Sequence, residues 1–417
     1  MVQLSNDCFA FGGKLMTIDE ALTLIAARVQ AVEGEERLPL ADCDNRILVA
    51  PLHAPLPLPL FANSAVDGYA LRGADLPQDQ ARSFPVTGRV QAGSSADPIQ
   101  PGAAMRIFTG APMPSGADTV FMQEDVRLEA NGDVTLPSGL KPGANMRPAG
   151  EDIAQGALAI PSGRRLRPQH VALAAALGLT HLTLRRRIRV AIFSTGNEVV
   201  EPGGPRGPAQ LFDSNRFMLG ALLRRLNCEV HDLGILRDDR TALTSALQDA
   251  AGTHDLVLTS GGVSAGEEDH VRAAIESVGS LVLWSLAIKP GRPVAMGVIA
   301  GTPFIGLPGN PVASFVTFAH VVRPAILALC GAAPEPLIGL PVRAAFTYKK
   351  KKGRREYVRA SLRHASNGSL EAVKFPREGA GLLSSLVDTD GMIELDEDLE
   401  GVSPGETVRF LAYPILI

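Results

Sequence analysis

Two glycine-rich turns carry the clearest chemical pattern in this 417-residue sequence, SGGVSAGEED at residues 260 to 269 and GLPGNP at residues 306 to 311. Each follows a short apolar run and precedes a helical pattern, so both are predicted at carboxyl ends of strands, where open parallel sheets bind ligands. Glycine lets backbone N–H groups approach a phosphate, and the helix that follows directs its positive end to the same place. The pattern therefore predicts an anion site. Its predicted substrate-binding residues are Ser260, Gly261, Gly262, Ser264, Gly266, Pro308, Gly309, Asn310 and Pro311.

Carboxylates follow the predicted strands at the same edge. Glu198 ends one strand, Asp238 and Asp239 end another, and Asp269 closes the first glycine-rich turn. Acids that parallel strands bring together repel one another and destabilise the fold unless a cation lies between them. Oxygen ligands suit a hard divalent ion, so the pattern favours a Mg²⁺ site. Taken singly, Asp239 and Asp269 are also typical helix N-caps.

A lysine and a rigid loop complete the predicted anion site. Lys289 in AIKPGRP follows a predicted strand, and we expect its ammonium group over the same edge, where it binds a phosphate as a point charge. Arg292 is a second candidate. In the second turn two prolines flank Gly309 and Asn310 and restrict the backbone, which makes the loop rigid at low entropic cost.

Three polar segments outside this region are weak indicators one at a time. Asp67 in NSAVDGYA precedes Gly68, and Asp-Gly is a common turn signal, so a simple turn is the favoured interpretation. Thr109 in RIFTGAPMP combines a hydroxyl and a glycine at the end of a predicted strand, which suits a turn or an oxyanion contact. Glu151 and Asp152 in AGEDI are typical of a solvated acidic pair.

The first part of the chain is mixed in character. Residues 17 to 32 predict an amphipathic helix with a capping box of Thr17 and Glu20. Its predicted apolar stripe is Leu22, Ile25, Ala26 and Val29. Prolines alternate with other residues from 53 to 60 and favour an extended linker or an edge strand. Short β-like runs between residues 61 and 146 predict a small all-β module.

From residue 188 the pattern changes to alternating strands and helices, which predicts a doubly wound sheet. The predicted strands cover residues 188–193, 229–236, 255–259, 281–288 and 294–299. After Cys330 the pattern is β again to the end, with Glu335 and Pro336 marking a linker.

Composition excludes several classes of protein. The chain exceeds one hydrophobic core, so roughly two to four domains are expected. It begins without a signal-peptide pattern, and no stretch reaches the roughly 20 apolar residues of a membrane span. Four scattered cysteines without CxxC indicate neither zinc nor disulfides and favour a reducing cytoplasm. A net charge of −4 argues against nucleic-acid binding, although residues 349 to 355 form a local positive patch.

The motifs resemble a known family when they are taken in order. They are NSAVDGYA, FTGAPMPSGADTV, AGEDI, STGNE, DSNR, LRDD, TSGGVSAGEED, IKPGRP and GLPGNPVAS. From about Thr17 to the C-terminus the chain resembles the molybdopterin molybdenumtransferases, the family that includes the E domain of gephyrin. A chance match of so many ordered motifs is improbable, whereas any one of them alone is not.

The resemblance implies an α/β multidomain fold. A central doubly wound α/β domain of the molybdopterin-binding type is expected with an N-terminal mixed domain, a small all-β module and a C-terminal β-barrel-like domain. The implied boundaries are residues 14–54 with 147–186 for the mixed linker domain, 55–146 for the β module, 187–334 for the α/β catalytic domain and 335–417 for the C-terminal domain. An elongated homodimer is implied, with each active cleft between the α/β domain of one subunit and the β module of the other.

The reaction implied by the resemblance inserts molybdate into adenylated molybdopterin with Mg²⁺ and releases AMP. The catalytic residues carried over by motif are Asp67, Thr109, Asp152, Glu198, Asp238 and Asp269, of which Glu198, Asp238 and Asp269 would hold the metal. Lys289 matches the family's phosphate-binding lysine. Asn197 and Ser285 depart from the family pattern, which usually has an acid and a basic residue there. Implied partners are a second copy of the chain and, transiently, the molybdopterin adenylyltransferase and the proteins that accept the cofactor.

Two other functions remain open on the sequence. An adenylyltransferase that makes the adenylated pterin shares the α/β domain and its glycine-rich turn, but it normally lacks the flanking β regions. A scaffold could hold the cofactor without turnover, but it has no reason to retain the mutually repelling acids Asp67, Asp238 and Asp269.

Overall fold

The computed structural model describes residues 4–5, 8–9, 15–95, 97–237, 239–261 and 270–417. Up to residue 185 the elements are α1 (Ile18–Arg28), β1 (Glu35–Pro39), β2 (Leu52–His53), β3 (Asn63–Ser64), β4 (Gly68–Leu71), β5 (Arg82–Phe84), β6 (Val86–Val90), β7 (Ala104–Ile107), β8 (Thr119–Met122), β9 (Arg127–Leu128), β10 (Val134–Leu136), β11 (Met146–Arg147), β12 (Leu158–Ile160), α2 (Pro168–Ala176) and β13 (His181–Arg185).

Longer strands and helices follow. They are β14 (Arg189–Thr195), β15 (Val199–Val200), β16 (Leu211–Phe212), α3 (Asn215–Arg225), β17 (Glu229–Leu236), α4 (Arg240–Thr253), β18 (Leu256–Ser260), α5 (His270–Val278), β19 (Gly279–Ser285), β20 (Ile288–Lys289), β21 (Pro293–Ile299), β22 (Thr302–Leu307), α6 (Pro311–Thr317) and α7 (Arg323–Leu329). The last elements are β23 (Leu340–Ala344), β24 (Tyr348–Lys349), β25 (Arg355–His364), β26 (Leu370–Lys374), α8 (Ser384–Val387), β27 (Gly391–Leu395), β28 (Gly401–Val402) and β29 (Thr407–Ala412).

The central sheet has the strand order β17, β14, β18, β22, β21, β19. Its first four strands are parallel, whereas β21 runs antiparallel to both of its neighbours, β22 and β19. In the parallel part Ser194 lies opposite Ser260, and Ser260 lies opposite Leu307. The strands that precede both glycine-rich turns therefore end side by side, which confirms the predicted doubly wound α/β core.

Both faces of this sheet are covered because its strands are apolar on both sides. On β14, Val190 and Ile192 pack in one cluster with Leu222 of α3, while Ala191 and Phe193 pack in another with Leu247 of α4. Successive side chains of a strand point to opposite faces, so a continuous apolar run needs a helix layer on each side. These two layers hold the strand ends in place.

Helix α1 begins at the predicted capping box, with Glu20 N donating to Thr17 Oγ1 at 3.2 Å and Thr17 N donating to Glu20 Oε2 at 2.8 Å. It ends at Arg28, four residues before the predicted end at residue 32. The predicted stripe is partly wrong. Ile18, Ala21 and Ile25 are its buried residues, and Leu22 and Ala26 are exposed. The helical period of the apolar residues was predicted correctly. The buried face, which packs against α7, is displaced from the predicted face by about one position.

The β module consists of two small sheets, β6-β7-β4-β8 and β5-β10-β9. Phe84, Phe121 and Leu136 form part of the core between them. The surrounding mixed region is held by pairing of strands that are distant in sequence, β1 with β13 and β2 with β12. The chain therefore leaves this region, forms the β module and returns.

The C-terminal region is a closed barrel of five strands, β25-β26-β23-β29-β27, which closes by pairing of β25 with β27. Val358, Ala360 and Phe410 lie in its core. The predicted strand over residues 281 to 288 is wrong in one respect, because the chain bends after Ser285. The short strand β20 then joins the barrel sheet by pairing with β25, so Lys289 belongs to the junction with the barrel.

Within the described part of the chain, one helical stretch, Pro311–Leu329, is long and apolar enough to cross a membrane, but 89% of its 18-residue apolar window is buried inside the protein. It packs in the core beside the central sheet. The predicted linker at Glu335 is also tied down, because Glu335 pairs with Arg165 at 2.7 Å and with Arg323 at 3.0 Å.

The predicted positive patch is largely neutralised. Lys350 is buried and donates to backbone carbonyls, including that of Asp396 at 2.6 Å. Arg354 pairs with Glu356 at 2.7 Å, and Arg355 pairs with Glu397 at 3.1 Å. These basic residues hold the barrel together.

Candidate active site

A cavity of about 510 Å³ lies at the carboxyl ends of the parallel strands, and we call it the rim cavity. Its lining residues are Ser194, Thr195, Glu198, Val199, Leu211, Asp213, Ser214, Asn215, Ser260, Gly261, Gly309, Asn310, Pro311, Gly381 and Leu383. Six predicted site residues, from three separate segments, meet there: Glu198, Ser260, Gly261, Gly309, Asn310 and Pro311. The volume is that of a small-molecule site, and the polar groups converge from several elements, as such sites require.

The two glycine-rich turns approach each other closely. Gly261 has a φ of +86°, and its N–H donates to Leu307 O at 3.0 Å. A Cβ at this position would come within 3.3 Å of Thr195 O. Glycine therefore allows both the left-handed backbone and the close contact between neighbouring strand ends.

Asn215, which sequence reasoning missed as a site residue, links the two turns. Its Nδ2 donates to Ser260 Oγ at 2.8 Å and to Gly309 O at 2.7 Å. A carbonyl oxygen only accepts hydrogen bonds, so the amide must present its nitrogen to Gly309. The DSNR motif that contains Asn215 was the available signal, but nothing in the sequence indicates which segments this amide would join.

Glu198 is exposed at the mouth of the cavity and folds back over Gly196. Gly196 has a φ of +127°, and a Cβ there would lie 2.6 Å from Glu198 Oε2. The glycine before it thus leaves the space that the carboxylate occupies. This explains the TG-x-E spacing: the turn determines where the acid lies.

Several polar atoms of the cavity wall are buried without a hydrogen-bond partner among the described residues. They are Ser194 Oγ, Thr195 Oγ1 and Asn215 Oδ1. An unsatisfied buried polar group costs about 1 to 3 kcal/mol, and native proteins contain few of them. Three in one cavity wall indicate a site that is completed by a polar ligand.

Lys289 lies outside the rim cavity, contrary to the prediction. It lines a neighbouring cleft of about 310 Å³ with Pro308, Arg359, Lys374 and Arg377, and we call this the basic cleft. Lys289 lies there because strand β20, to which it belongs, pairs with β25 of the barrel. Asn310 borders both spaces, so the second glycine-rich turn separates them.

The lysine is held in place by barrel side chains. Lys289 Nζ lies 3.2 Å from Tyr348 Oη and 3.5 Å from Glu356 Oε2. Burial and the hydrogen bond to Glu356 raise the pKa of Tyr348 above its ordinary value, so the phenol stays protonated. With Arg359, Lys374 and Arg377 on the other walls, the cleft suits an anion.

Asp67 and Thr109 form a pair in the β module. Asp67 Oδ1 accepts hydrogen bonds from Thr109 N and from Thr109 Oγ1, both at 2.7 Å. These bonds hold the pKa of Asp67 below its ordinary value, so the half-buried carboxylate is ionised at neutral pH. The motifs around Asp67 and Thr109 are distant in sequence but form one hydrogen-bonded unit. Interpreting each motif as a separate turn does not predict this contact.

Other predicted residues lie elsewhere or outside the described part of the chain. Arg292 and Asp152 are exposed and border neither of these two spaces as the described residues form them. Asp239 is a helix N-cap that accepts from Ala242 N at 2.7 Å, so the capping alternative is confirmed for it. The predicted residues outside the described part are Asp238, Gly262, Ser264, Gly266 and Asp269.

Relatives of the whole chain decide the family. The molybdopterin molybdenumtransferase of Haemophilus influenzae is 38% identical over 399 residues, which are 94% of this chain and 98% of that protein. The chain belongs to the molybdopterin molybdenumtransferase family. A family member from Nostoc sp. is 35% identical over 402 residues, 94% of this chain and 92% of that protein.

Three family models match in order and confirm the resemblance seen in the motifs. They are the MoeA N-terminal region (domain I and II) over residues 16–178, the probable molybdopterin binding domain over 191–328 and the MoeA C-terminal region (domain IV) over 341–413. The flanking matches do not support an adenylyltransferase, which would lack those regions. The rim cavity lies mainly within the second match.

A solved structure shares the fold. The molybdopterin biosynthesis moeA protein from Pyrococcus horikoshii OT3 superposes with a TM-score of 0.81 at 29% identity and covers 96% of this chain and 100% of that one. The likeness supports the multidomain arrangement described above.

Proposed function

We propose that this protein inserts molybdenum from molybdate into adenylated molybdopterin and releases AMP. The observation that carries the proposal is the rim cavity, which lies mainly in the region similar to the probable molybdopterin binding domain and contains three buried polar atoms without a partner among the described residues. Curated relatives of the whole chain bear the name of this activity. The cavity and the basic cleft adjoin at Asn310, so one elongated anionic substrate can contact both.

The residues divide the work by charge. The backbone of the glycine-rich turns and the hydroxyls of Ser194, Thr195 and Ser260 provide hydrogen bonds to the pterin and its phosphate. The basic cleft, with Lys289 as its central cation, binds the negative charge of a phosphate or of the oxyanion substrate. Glu198 at the cavity mouth orients the attacking water oxygen and accepts its proton as the phosphoanhydride bond breaks and AMP leaves.

Among the described residues no group of three His, Cys, Asp or Glu side chains is placed to hold a metal ion, and Glu198 is the one proposed ligand that they include. Glu198 and the hydroxyls beside it are oxygen ligands, which Mg²⁺ prefers, and the other proposed ligands, Asp238 and Asp269, lie outside the described residues. A bound Mg²⁺ would neutralise and polarise the phosphoanhydride. This assignment belongs to the proposal, as does a cytoplasmic location.

The Asp67–Thr109 pair belongs to the proposal through a second copy of the chain. A half-buried carboxylate next to an exposed hydroxyl residue is suitable for contacting a ligand only where another surface faces it. In a two-fold homodimer each β module would face the rim cavity of the partner, so each site draws residues from both chains. Asp152 is assigned to the same cleft. Transient contact with the adenylyltransferase and with cofactor acceptors completes the proposed partners.

The test is a direct assay. Purified protein is incubated with adenylated molybdopterin, Mg²⁺ and molybdate, and AMP is measured against time. We expect AMP release that depends on molybdate. Equal release without molybdate, or no release from folded protein, would contradict the proposal and favour a scaffold that holds the cofactor without turnover.

A further inference from the structure

A buried arginine lies directly behind the rim cavity. Arg216 is in the first turn of α3, next to Asn215, and its side chain is only 4% exposed. Arginine is almost never buried unless it is paired, so its partners indicate what it holds. Arg216 takes no part in the functions argued above.

The guanidinium of Arg216 holds three carboxylates from three separate segments. Its Nε donates to Asp213 Oδ2 at 2.9 Å, its Nη1 donates to Asp232 Oδ1, and its Nη2 donates to both oxygens of Glu201 at 2.5 and 2.6 Å. Asp232 also accepts from Gly234 N at 2.9 Å. Only a planar group with five N–H donors can serve three carboxylates in this way.

Two of these carboxylates, Glu201 and Asp213, lie on the two sides of the loop that carries Glu198. The loop runs from residue 196 to residue 213, between β14 and α3, and its two short strands pair through Val199 and Leu211. Glu201 lies three residues after Glu198 on the outgoing side, and Asp213 ends the returning side. Arg216 therefore attaches both sides of the loop to one point.

The third carboxylate anchors this point to the sheet. Asp232 belongs to β17, the edge strand beside β14. Burial lowers the pKa of Arg216, but hydrogen bonds to Asp232 and Asp213 outweigh it and leave the pKa above its ordinary value. Burial raises the pKa of Asp232, but the hydrogen bonds from Arg216 and Gly234 N, together with the positive charge of Arg216, leave it below its ordinary value. Arg216 and Asp232 therefore both stay charged at neutral pH.

We propose that Arg216 is a positioning residue that holds Glu198 at the mouth of the rim cavity by clamping its loop to strand β17. The inference rests on the proposed function, because the position of Glu198 matters only if the rim cavity is the active site. Loss of one of the three ion pairs of Arg216 leaves the loop attached but less precisely aligned. A small displacement of a catalytic group such as Glu198 lowers the reaction rate strongly.

Two of the three carboxylates that Arg216 binds are partly exposed, so each can be substituted while the buried arginine is kept. Glu201 and Asp232 are 52% and 40% exposed, and Glu201→Gln and Asp232→Asn each remove the negative charge of one carboxylate and leave Arg216 two charged partners. In the AMP-release assay we expect kcat to fall about ten- to hundredfold in each, with the KM for adenylated molybdopterin nearly unchanged. Glu276→Gln is the matched control, because it removes an ion pair of similar exposure on α5, and it should react like the wild type.

A double-mutant cycle separates positioning from general stability. Glu201→Gln is combined with Glu198→Asp, whose shorter side chain has already moved the carboxylate. Residues that act together give non-additive effects, so we expect Glu201→Gln to cost much less in this background than in the wild type.

Each outcome has one meaning. A wild-type protein that releases no AMP contradicts the proposed function and this proposal with it. An active wild type with Glu201→Gln and Asp232→Asn as fast as Glu276→Gln overturns the positioning role alone, as does an equal fold-loss of kcat in both Glu198 backgrounds.

Discussion

The rim cavity and the Asp67–Thr109 pair both place a carboxylate near a strand end, but they differ in what is left unsatisfied. In the rim cavity, hydroxyl and amide oxygens are buried without partners among the described residues and surround about 510 Å³ of space. In the β module, one oxygen of the half-buried Asp67 accepts both hydrogen bonds of Thr109, which is exposed. The first region can select a ligand by itself, whereas the second can only contribute one wall.

The largest effect is expected in the rim cavity. Glu198→Gln removes a charge but hardly changes volume, and we expect AMP release to fall more than about hundredfold, with the melting temperature unchanged because Glu198 is exposed. Asp269→Asn should behave in the same way. The control is Glu229→Gln, which lies at the amino end of β17, whereas the rim cavity lies at the carboxyl ends of the parallel strands. Near-normal rates in both site variants would mean that these acids are structural.

The second prediction joins the two regions. Asp67→Asn and Asp269→Asn should each be inactive, and mixing them should restore activity if the regions act across a dimer. After full exchange about half of the dimers are mixed and each has one intact cleft, so about a quarter of wild-type activity is expected. Exchange is verified by mass spectrometry. Confirmed exchange without recovered activity would show that both residues serve the same chain.

The third prediction concerns the basic cleft. Lys289→Ala should weaken substrate binding by about 1.5 to 3 kcal/mol if the ammonium makes one charge-assisted hydrogen bond. The matched control is Lys351→Ala, an exposed lysine of the same barrel outside the cleft. Binding of adenylated molybdopterin is measured by titration calorimetry. Equal affinity of the two variants would remove Lys289 from the site.

The smallest effect is a change in protonation. In Thr109→Val the Asp67 carboxylate loses the hydroxyl hydrogen bond that contributes most to lowering its pKa, so the pKa should rise toward its ordinary value. A depressed pKa gives stability that is present above the unfolded-state pKa and is lost as the pH falls through the folded-state pKa. The variant should therefore lose this stabilisation at a higher pH than the wild type. Carboxyl carbon shifts followed by NMR measure the pKa, and an unchanged midpoint would contradict the role of Thr109.

Local signals in the sequence were sufficient for most of the architecture. The apolar runs of β14 and β18, the glycine turns after parallel strands and the capping box of α1 depend on residues close together in the chain, so pattern and propensity predict them. Family membership followed from the order of the motifs and is confirmed by relatives of the whole chain. The domain boundaries and the roles assigned to the site residues remain predictions.

The sequence by itself determined that acids, glycines and a lysine lie near the ends of strands, because that depends on local periodicity. Only the tertiary structure decided which of them meet. The pairing of β20 with the barrel moved Lys289 into a separate cleft, the Asn215 amide joined two turns, and Arg216 gathered three carboxylates. Such contacts join residues tens of positions apart, and no local preference encodes them, because they arise when packed layers bring separate segments to one edge of the sheet.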